Sequence, residues 1–216
     1  MIVFTIVFGN LAKIDSNGVP YAIFSFTALV PWTYFSAALS SSSGSLLSSR
    51  GMMTKVYFPR LIIPISPVIS KLIDFFIALI LLAGMMLYFG FLPSTDIIYL
   101  PILILIMMFT ASGLGMWFTA LSIQYRDINY GMGFFIQLLM YAAPVVYPAS
   151  SVPETYQTLY GLFPMAGVIE GFRAILLQTI QIPWDFIING MIVSLLLMIT
   201  GSFYFKRMEK YFADVA

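Results

Sequence analysis

Chemistry needs side chains that exchange protons, ligate metals or attack electrophiles, and this chain has few of them. Histidine and cysteine are both absent. Their absence removes disulfides, imidazole and thiolate metal sites, haem ligation by either residue, and any Ser-His or Cys-His nucleophile. The acids Asp74, Asp127, Glu154, Glu170 and Asp185 are scattered along the chain. Two of them have a base three residues on or back, Lys71 with Asp74 and Glu170 with Arg173, a spacing that puts both partners on one helix face. General acid–base catalysis would need a nucleophile or a second carboxylate converging on such a pair, and the sequence offers neither. Both are expected to be ion pairs. Lys71 lies at a membrane boundary, where it can snorkel, and Glu170–Arg173 braces a short helix. No G-x-x-x-x-G-K-[ST] loop occurs, so ATP, if it drives this protein, is bound by another chain. Neither a cofactor nor a metal is expected.

These residues sit in a chain of 216 residues that is 61% hydrophobic and 9% charged. An average soluble protein has about 45–50% and about 25%. A core of this size cannot hide the excess, so lipid must be the solvent. The expected fold is an all-α integral membrane protein forming a single domain over residues 1–216. It has five full spans and an incomplete first helix, since Met1–Gly9 reads as the outer half of a helix whose beginning is missing.

The spans are Val19–Leu39, Ile65–Phe91, Ile97–Ser122, the short Tyr130–Tyr147, and Trp184–Phe205, with Trp184 as an interfacial anchor. Ser40–Ser49 holds seven serines. They form either a polar face lining a cavity or a helix end emerging into water. Ala111, Ser112, Gly113 and Gly115 make a small-residue patch suited to close helix packing. Pro148–Pro183 is too polar and too interrupted for a span. It divides at Pro164 into two helical pieces, about Glu154–Leu162 and Met165–Thr179. Val168, Ile169, Phe172, Ile175 and Leu176 recur at helical spacing, which predicts a hairpin that dips into the outer leaflet or lies on it.

Basic residues set the orientation. Arg50, Lys55 and Arg60 cluster in Ser48–Pro67, SSRGMMTKVYFPRLIIPISP, between two membrane-length segments. With Arg126, Lys206, Arg207 and Lys210 they make seven on one side against Lys13 and Arg173 on the other. By the positive-inside rule the loop and the C-terminus are cytoplasmic. Tyr57, Phe58, Pro59, Pro64 and Pro67 suggest a structured loop. Without a nucleotide motif in this chain, energy must enter by contact with a partner, and this loop is the natural contact. The net charge of +1 gives no reason to expect nucleic acid.

Aromatic residues make up 17% of the chain. Tyr21, Phe24, Phe26, Trp32, Tyr34 and Phe35 cluster on one helix, and Phe134, Phe135, Tyr141 and Tyr147 on another. They suit either a conduit for sugars, whose rings stack on aromatic faces, or lipid-facing belts and helix packing.

Three stretches resemble the ABC-2 type permeases of the polysaccharide and teichoic-acid exporter group. They are PWTYFSAALSSSSGSLLSSRGMMTKVYFPRLIIPISPVIS (Pro31–Ser70), YRDINYGMGFFIQLLMYAAPVVYP (Tyr125–Pro148) and VPETYQTLYGLFPMAGVIEGFR (Val152–Arg173). KVYFPR and PMAGVIEGFR are the more specific parts. The resemblance implies an ABC-2 type transmembrane domain with a cytoplasmic coupling helix in residues 48–64 and short external re-entrant gate helices in residues 152–181. It also implies a homodimer, two ATP-binding subunits on the cytoplasmic face, and export of a lipid-linked polysaccharide of O-antigen or capsular type across the inner membrane. Arg50, Lys55, Tyr57, Phe58 and Arg60 would then couple to the ATPase. Trp32, Tyr34, Tyr141, Tyr147, Glu170 and Arg173 are candidates for the channel or gate. Two alternatives stay open: another ABC-2 cargo, such as a drug or lipid, and a membrane scaffold or enzyme that uses the external hairpin.

Overall fold

The computed structural model describes residues 5–11, 16, 18–49, 51, 59–92, 94–125 and 127–211. Among them helices and short loops account for everything, with no strand. A π-helical segment, Thr5–Leu11, comes first and packs Gly9 against the Cβ of Tyr21. Helix α1 follows at Tyr21–Ser43, and a single turn, α2, at Ser45–Ser48. Next come α3 at Ile62–Phe89 and α4 at Leu100–Gln124, the latter entered through a 3₁₀ turn at Thr95–Tyr99. Helix α5 spans Asp127–Ala142. Two short helices, α6 at Glu154–Gly161 and α7 at Pro164–Leu177, precede the last long helix, α8 at Trp184–Met208.

Among the described residues four helical stretches are long and apolar enough to cross a bilayer: Tyr21–Ser43, Ile62–Phe89, Thr95–Ser122 and Trp184–Met208. Helices α6 and α7 meet at 96° and together would make a fifth, broken crossing. Helix α5 is shorter than the sequence suggests. Its 16 residues reach about 24 Å at a rise of about 1.5 Å each, against a hydrocarbon core of ~30 Å. The expected continuation to Tyr147 leaves the helix after Ala142, two residues before Pro144, which has no N–H to donate back along the helix.

Helix α1 is the most enclosed of the long helices, while α3 and α8 turn most of their apolar surface outward. Two buried hydroxyls of α1 serve its own backbone: Ser25 donates to the Tyr21 carbonyl and Thr27 to that of Ile23, each at 2.9 Å. Helices α4 and α8 meet backbone to backbone. A Cβ built on Gly113 would lie 2.5 Å from the Leu197 carbonyl carbon, and one on Gly201 would lie 2.5 Å from the Gly113 carbonyl oxygen. Only hydrogen fits there, which is why this patch needs glycine rather than merely small residues. Trp117 stacks on Tyr204 at 4.4 Å beside the contact.

Helix α7 is more enclosed than its apolar stripe alone requires: all of Pro164–Leu177 is buried inside the protein. The apolar stripe meets α1, α3 and α4. The flank beside it is made smooth by Gly167 and Gly171, against which Phe186 of α8 and Leu103 of α4 rest. Helical spacing of apolar residues says that a face must leave water; it does not say whether lipid or protein covers it.

Candidate functional site

The fold has two polar regions, one at each end of the helix bundle. At the end where α3 begins and α8 finishes, Pro59–Leu61 turn the chain into α3, with Ile62 N–H donating to the Pro59 carbonyl at 3.1 Å. Pro64 lies in the first turn of α3, where a missing N–H costs nothing. Its carbonyl accepts from Ser42 Oγ at 2.6 Å, while the Ser42 carbonyl accepts from Thr119 Oγ1 at 2.7 Å. Ser42 therefore ties α1 to both α3 and α4, and Gly115 leaves room for its side chain. The serine stretch divides between its two readings. Ser42, Ser43 and Ser45 are buried, whereas Ser40, Ser41 and Ser48 are exposed. A cavity of about 380 Å³ lies beside Ser41, Ser45, Ser48, Ser49 and Ser66.

Of the five coupling candidates, Arg50, Lys55, Tyr57 and Phe58 lie outside the described residues. Arg60 is held within this chain. Its Nη1 donates to the Glu209 carbonyl at 3.2 Å, and its Nε stands 3.9 Å from Glu209 Oε1. The loop's exit is thus clipped to the end of α8. Lys71 and Asp74 form the expected local pair at 2.9 Å on the outward face of α3.

At the opposite end, residues 143–148 run without helix through the packed interior and enter a 3₁₀ turn at Ala149–Ser151. Irregular backbone away from water must find partners for its polar groups. Here side chains from other elements supply them. Arg173 Nη2 donates to the Val145 carbonyl at 3.0 Å and Nη1 to that of Tyr147 at 3.3 Å. The Tyr21 hydroxyl donates to the Val146 carbonyl at 2.8 Å. The Ala149 N–H donates to Glu170 Oε1 at 2.9 Å, and the same oxygen accepts from Arg173 Nη1 at 3.0 Å. The Arg173 guanidinium also lies 3.7 Å from the centroid of the Phe24 ring. Both members of the ion pair are buried. Arginine suits the task because its planar fork serves several acceptors at once, which an ammonium does not.

Removing one of these donors isolates its contribution. Tyr21→Phe keeps the ring and leaves the Val146 carbonyl without a donor. The expected cost is ~1–3 kcal/mol, read as a lower melting temperature of the detergent-purified protein. An unchanged melting temperature would mean that water already serves that carbonyl.

The six channel or gate candidates do not converge. Tyr147, Glu170 and Arg173 belong to the hub just described, and the Tyr147 hydroxyl donates to the Tyr141 carbonyl at 2.9 Å. Trp32 and Tyr34 lie elsewhere, each only 3% exposed. Trp32 packs on Phe35, and Tyr34 packs on Phe75 while donating to the Val68 carbonyl at 3.0 Å. Within a single chain their surfaces are spent on helix packing. Tyr141 is 60% exposed and continues a stripe on α5 that includes Tyr130, Phe134, Gln137 and Leu138. Sequence reasoning missed the hub roles of Tyr21 and Phe24. The signal available was the pair of prolines, Pro144 and Pro148, which marks backbone that needs partners from elsewhere.

Comparison with known proteins adds a family and a set of relatives. The family described as ABC-2 type transporter matches residues 1–177. The chain is 24% identical over 196 residues to the O-antigen export system permease protein RfbA of Klebsiella pneumoniae, covering 90% of this chain and 75% of that protein. It is also 24% identical over 216 residues to the O-antigen export system permease protein RfbA of Myxococcus xanthus, covering 99% and 82%.

Proposed function

This chain belongs to the ABC-2 type transporter family, and we propose that it is the permease subunit of an exporter carrying a lipid-linked polysaccharide across the inner membrane. The observation that carries the reading is its near full-length similarity to two O-antigen export permeases. The cargo is a glycan of O-antigen or capsular type on a lipid carrier. Two copies of the chain enclose the path, and two separate ATP-binding subunits drive it from the cytoplasmic face. The loop between α2 and α3 and the C-terminus lie on that face, in keeping with the excess of basic residues there.

The exposed stripe on α5 supports pairing. Gln137 stands in it among Phe134, Leu138 and Tyr141. An amide facing lipid lacks hydrogen-bond partners, and a second copy would supply them or frame a wet path. The Arg60–Glu209 clip gives a docked ATPase two levers, α3 through the elbow and α8 through its end. Helix α8 in turn grips α4 through the glycine contact.

Deleting the gene is expected to leave lipid-linked glycan accumulating inside the cell. A deletion strain whose surface glycan is unchanged would refute the cargo. The docking role rests on Tyr57 and Phe58. Replacing both by Ala is expected to abolish co-purification with the ATPase and stop export. Unchanged co-purification with continued export would remove the docking role from this loop.

A further inference from the structure

Helices α6 and α8 flank an open cleft of about 390 Å³ lined by Gln157, Thr158, Asp185, Phe186, Ile188 and Asn189. Four of these six residues carry side-chain hydrogen-bonding groups. Asp185 and Asn189 are one turn apart on α8, and Gln157 and Thr158 are neighbours on α6. Phe186 forms the wall between them, its ring 6.4 Å from that of Tyr160. A smaller adjoining cavity of about 220 Å³ shares Gln157 and Phe186 and reaches Ser150 and Glu170.

We propose that the cleft between α6 and α8 is a binding site for a neutral saccharide. Vicinal sugar hydroxyls pair with planar carboxylate and amide groups that accept and donate side by side, as Asp185, Asn189 and Gln157 provide. The apolar face of a pyranose suits an aromatic wall, here Phe186. An acid in the first turn of α8 would by itself be explained by the helix dipole. That explanation leaves Asn189 and Thr158 without a task, and Gln157, whose amide nitrogen donates to the Val152 carbonyl at 3.1 Å, keeps its amide oxygen for a ligand. The charge decides against an anionic ligand. Among the described residues Asp185 is the only ionisable group lining the main cavity, and Glu170 in the adjoining one is already paired with Arg173. A phosphate or a uronic acid would meet a carboxylate with no cation to offset it.

The two walls differ in rigidity. The α8 wall is fixed, because a Cβ on Gly167 of α7 would lie 2.5 Å from the Phe186 carbonyl oxygen. The α6 wall is a two-turn helix with Thr158, Leu159 and Tyr156 exposed. A bound sugar would therefore hold α6 against a fixed α8. The cleft lies at the end of α8 where Trp184 packs on Tyr99 at 5.0 Å, the level of a headgroup belt. A sugar can reach it from a glycolipid headgroup or from a glycan chain. Only this choice of source rests on the export reading.

The test uses the full chain in nanodiscs and methyl glycosides of glucose, galactose, mannose, rhamnose and N-acetylglucosamine, followed by saturation-transfer NMR. At least one glycoside is expected to give a signal that falls fivefold or more in Asp185→Ala/Asn189→Ala. The exposed variant Thr158→Trp, which fills the cleft from α6, is expected to lose the same signal. Absence of any glycoside signal, or equal signals in wild type and both variants, overturns the site. Displacement of the glycoside by inorganic pyrophosphate also overturns it, since the site would then select anions. Displacement by monoglucosyl diacylglycerol doped into the nanodisc supports the site and assigns its sugar to a headgroup; no displacement, with the glycoside still bound, supports it and assigns the sugar to a soluble chain. Binding is read without transport, so a failed export assay with intact glycoside binding would refute the exporter reading alone.

Discussion

Arg173→Ala is expected to be the most damaging single substitution in the described part of this protein. It takes donors from the Val145 and Tyr147 carbonyls and leaves Glu170 buried with its charge uncompensated. Breaking a buried pair by removing one partner costs ~3–5 kcal/mol, a large share of the ~5–15 kcal/mol that holds a typical domain folded. The expected result is a sharp loss of monodisperse protein in detergent and a large fall in melting temperature. Arg173→Lys should rescue little, since one ammonium cannot span both carbonyls and the carboxylate.

Glu170→Gln should cost less. The amide oxygen can still accept from the Ala149 N–H and from Arg173. This variant also separates transport from catalysis, because a catalytic Glu170 would lose all activity as Gln while the fold survived. The comparison to make is thermal unfolding of Arg173→Ala, Arg173→Lys and Glu170→Gln side by side. If Arg173→Ala melts with wild type, the hub does not hold the 143–149 segment.

Gly113→Val comes next in size. Its Cβ would meet the Leu197 carbonyl carbon at 2.5 Å, the Leu197 oxygen at 2.7 Å and the Met198 nitrogen at 2.7 Å. These are backbone atoms, so no side chain can swing aside. Forcing extra carbon into a packed contact costs ~1–3 kcal/mol and occasionally more, and here α4 and α8 must separate along their most intimate contact. Gly84→Ala is the matched control. Nothing lies within 4 Å of a Cβ at Gly84, and replacing a helical Gly by Ala should gain up to ~1 kcal/mol. Expression and melting temperature should fall for Gly113→Val and hold or rise for Gly84→Ala. Equal behaviour of the two would mean that α4 and α8 do not touch at Gly113.

Both substitutions act where the sequence was only partly legible. The small-residue patch pointed to close packing, but Gly201 and Leu197, the residues it packs against, lie more than eighty positions away. The Glu170–Arg173 pair was legible as a local ion pair from its i,i+3 spacing. Its larger task, feeding hydrogen bonds to residues 145–149, depends on contacts more than twenty residues apart. Trp32 and Tyr34 show the converse. Aromatic residues in a membrane helix fit either a channel or a core, and only packing puts them in the core of this chain.

The sequence alone determined that the chain is helical and lives in lipid, because 61% hydrophobic residues with 9% charged leave no other solvent. It marked some helix ends by proline, at Pro144 and Pro183, but not all prolines act so: Pro31 and Pro67 stand inside α1 and α3, which run on through them. Its motifs, the KVYFPR and PMAGVIEGFR runs, pointed to the ABC-2 family. The tertiary structure alone decided which helix lies at the centre. Fourteen residues between Pro164 and Leu177 carry an apolar stripe that a lipid surface would satisfy equally well. They are instead enclosed because Gly167 and Gly171 admit neighbouring helices on the flank beside that stripe, and because the irregular segment beside them needs Arg173 and Glu170 to pair its backbone. Hydrophobic burial has no direction, so its partner had to be found in three dimensions.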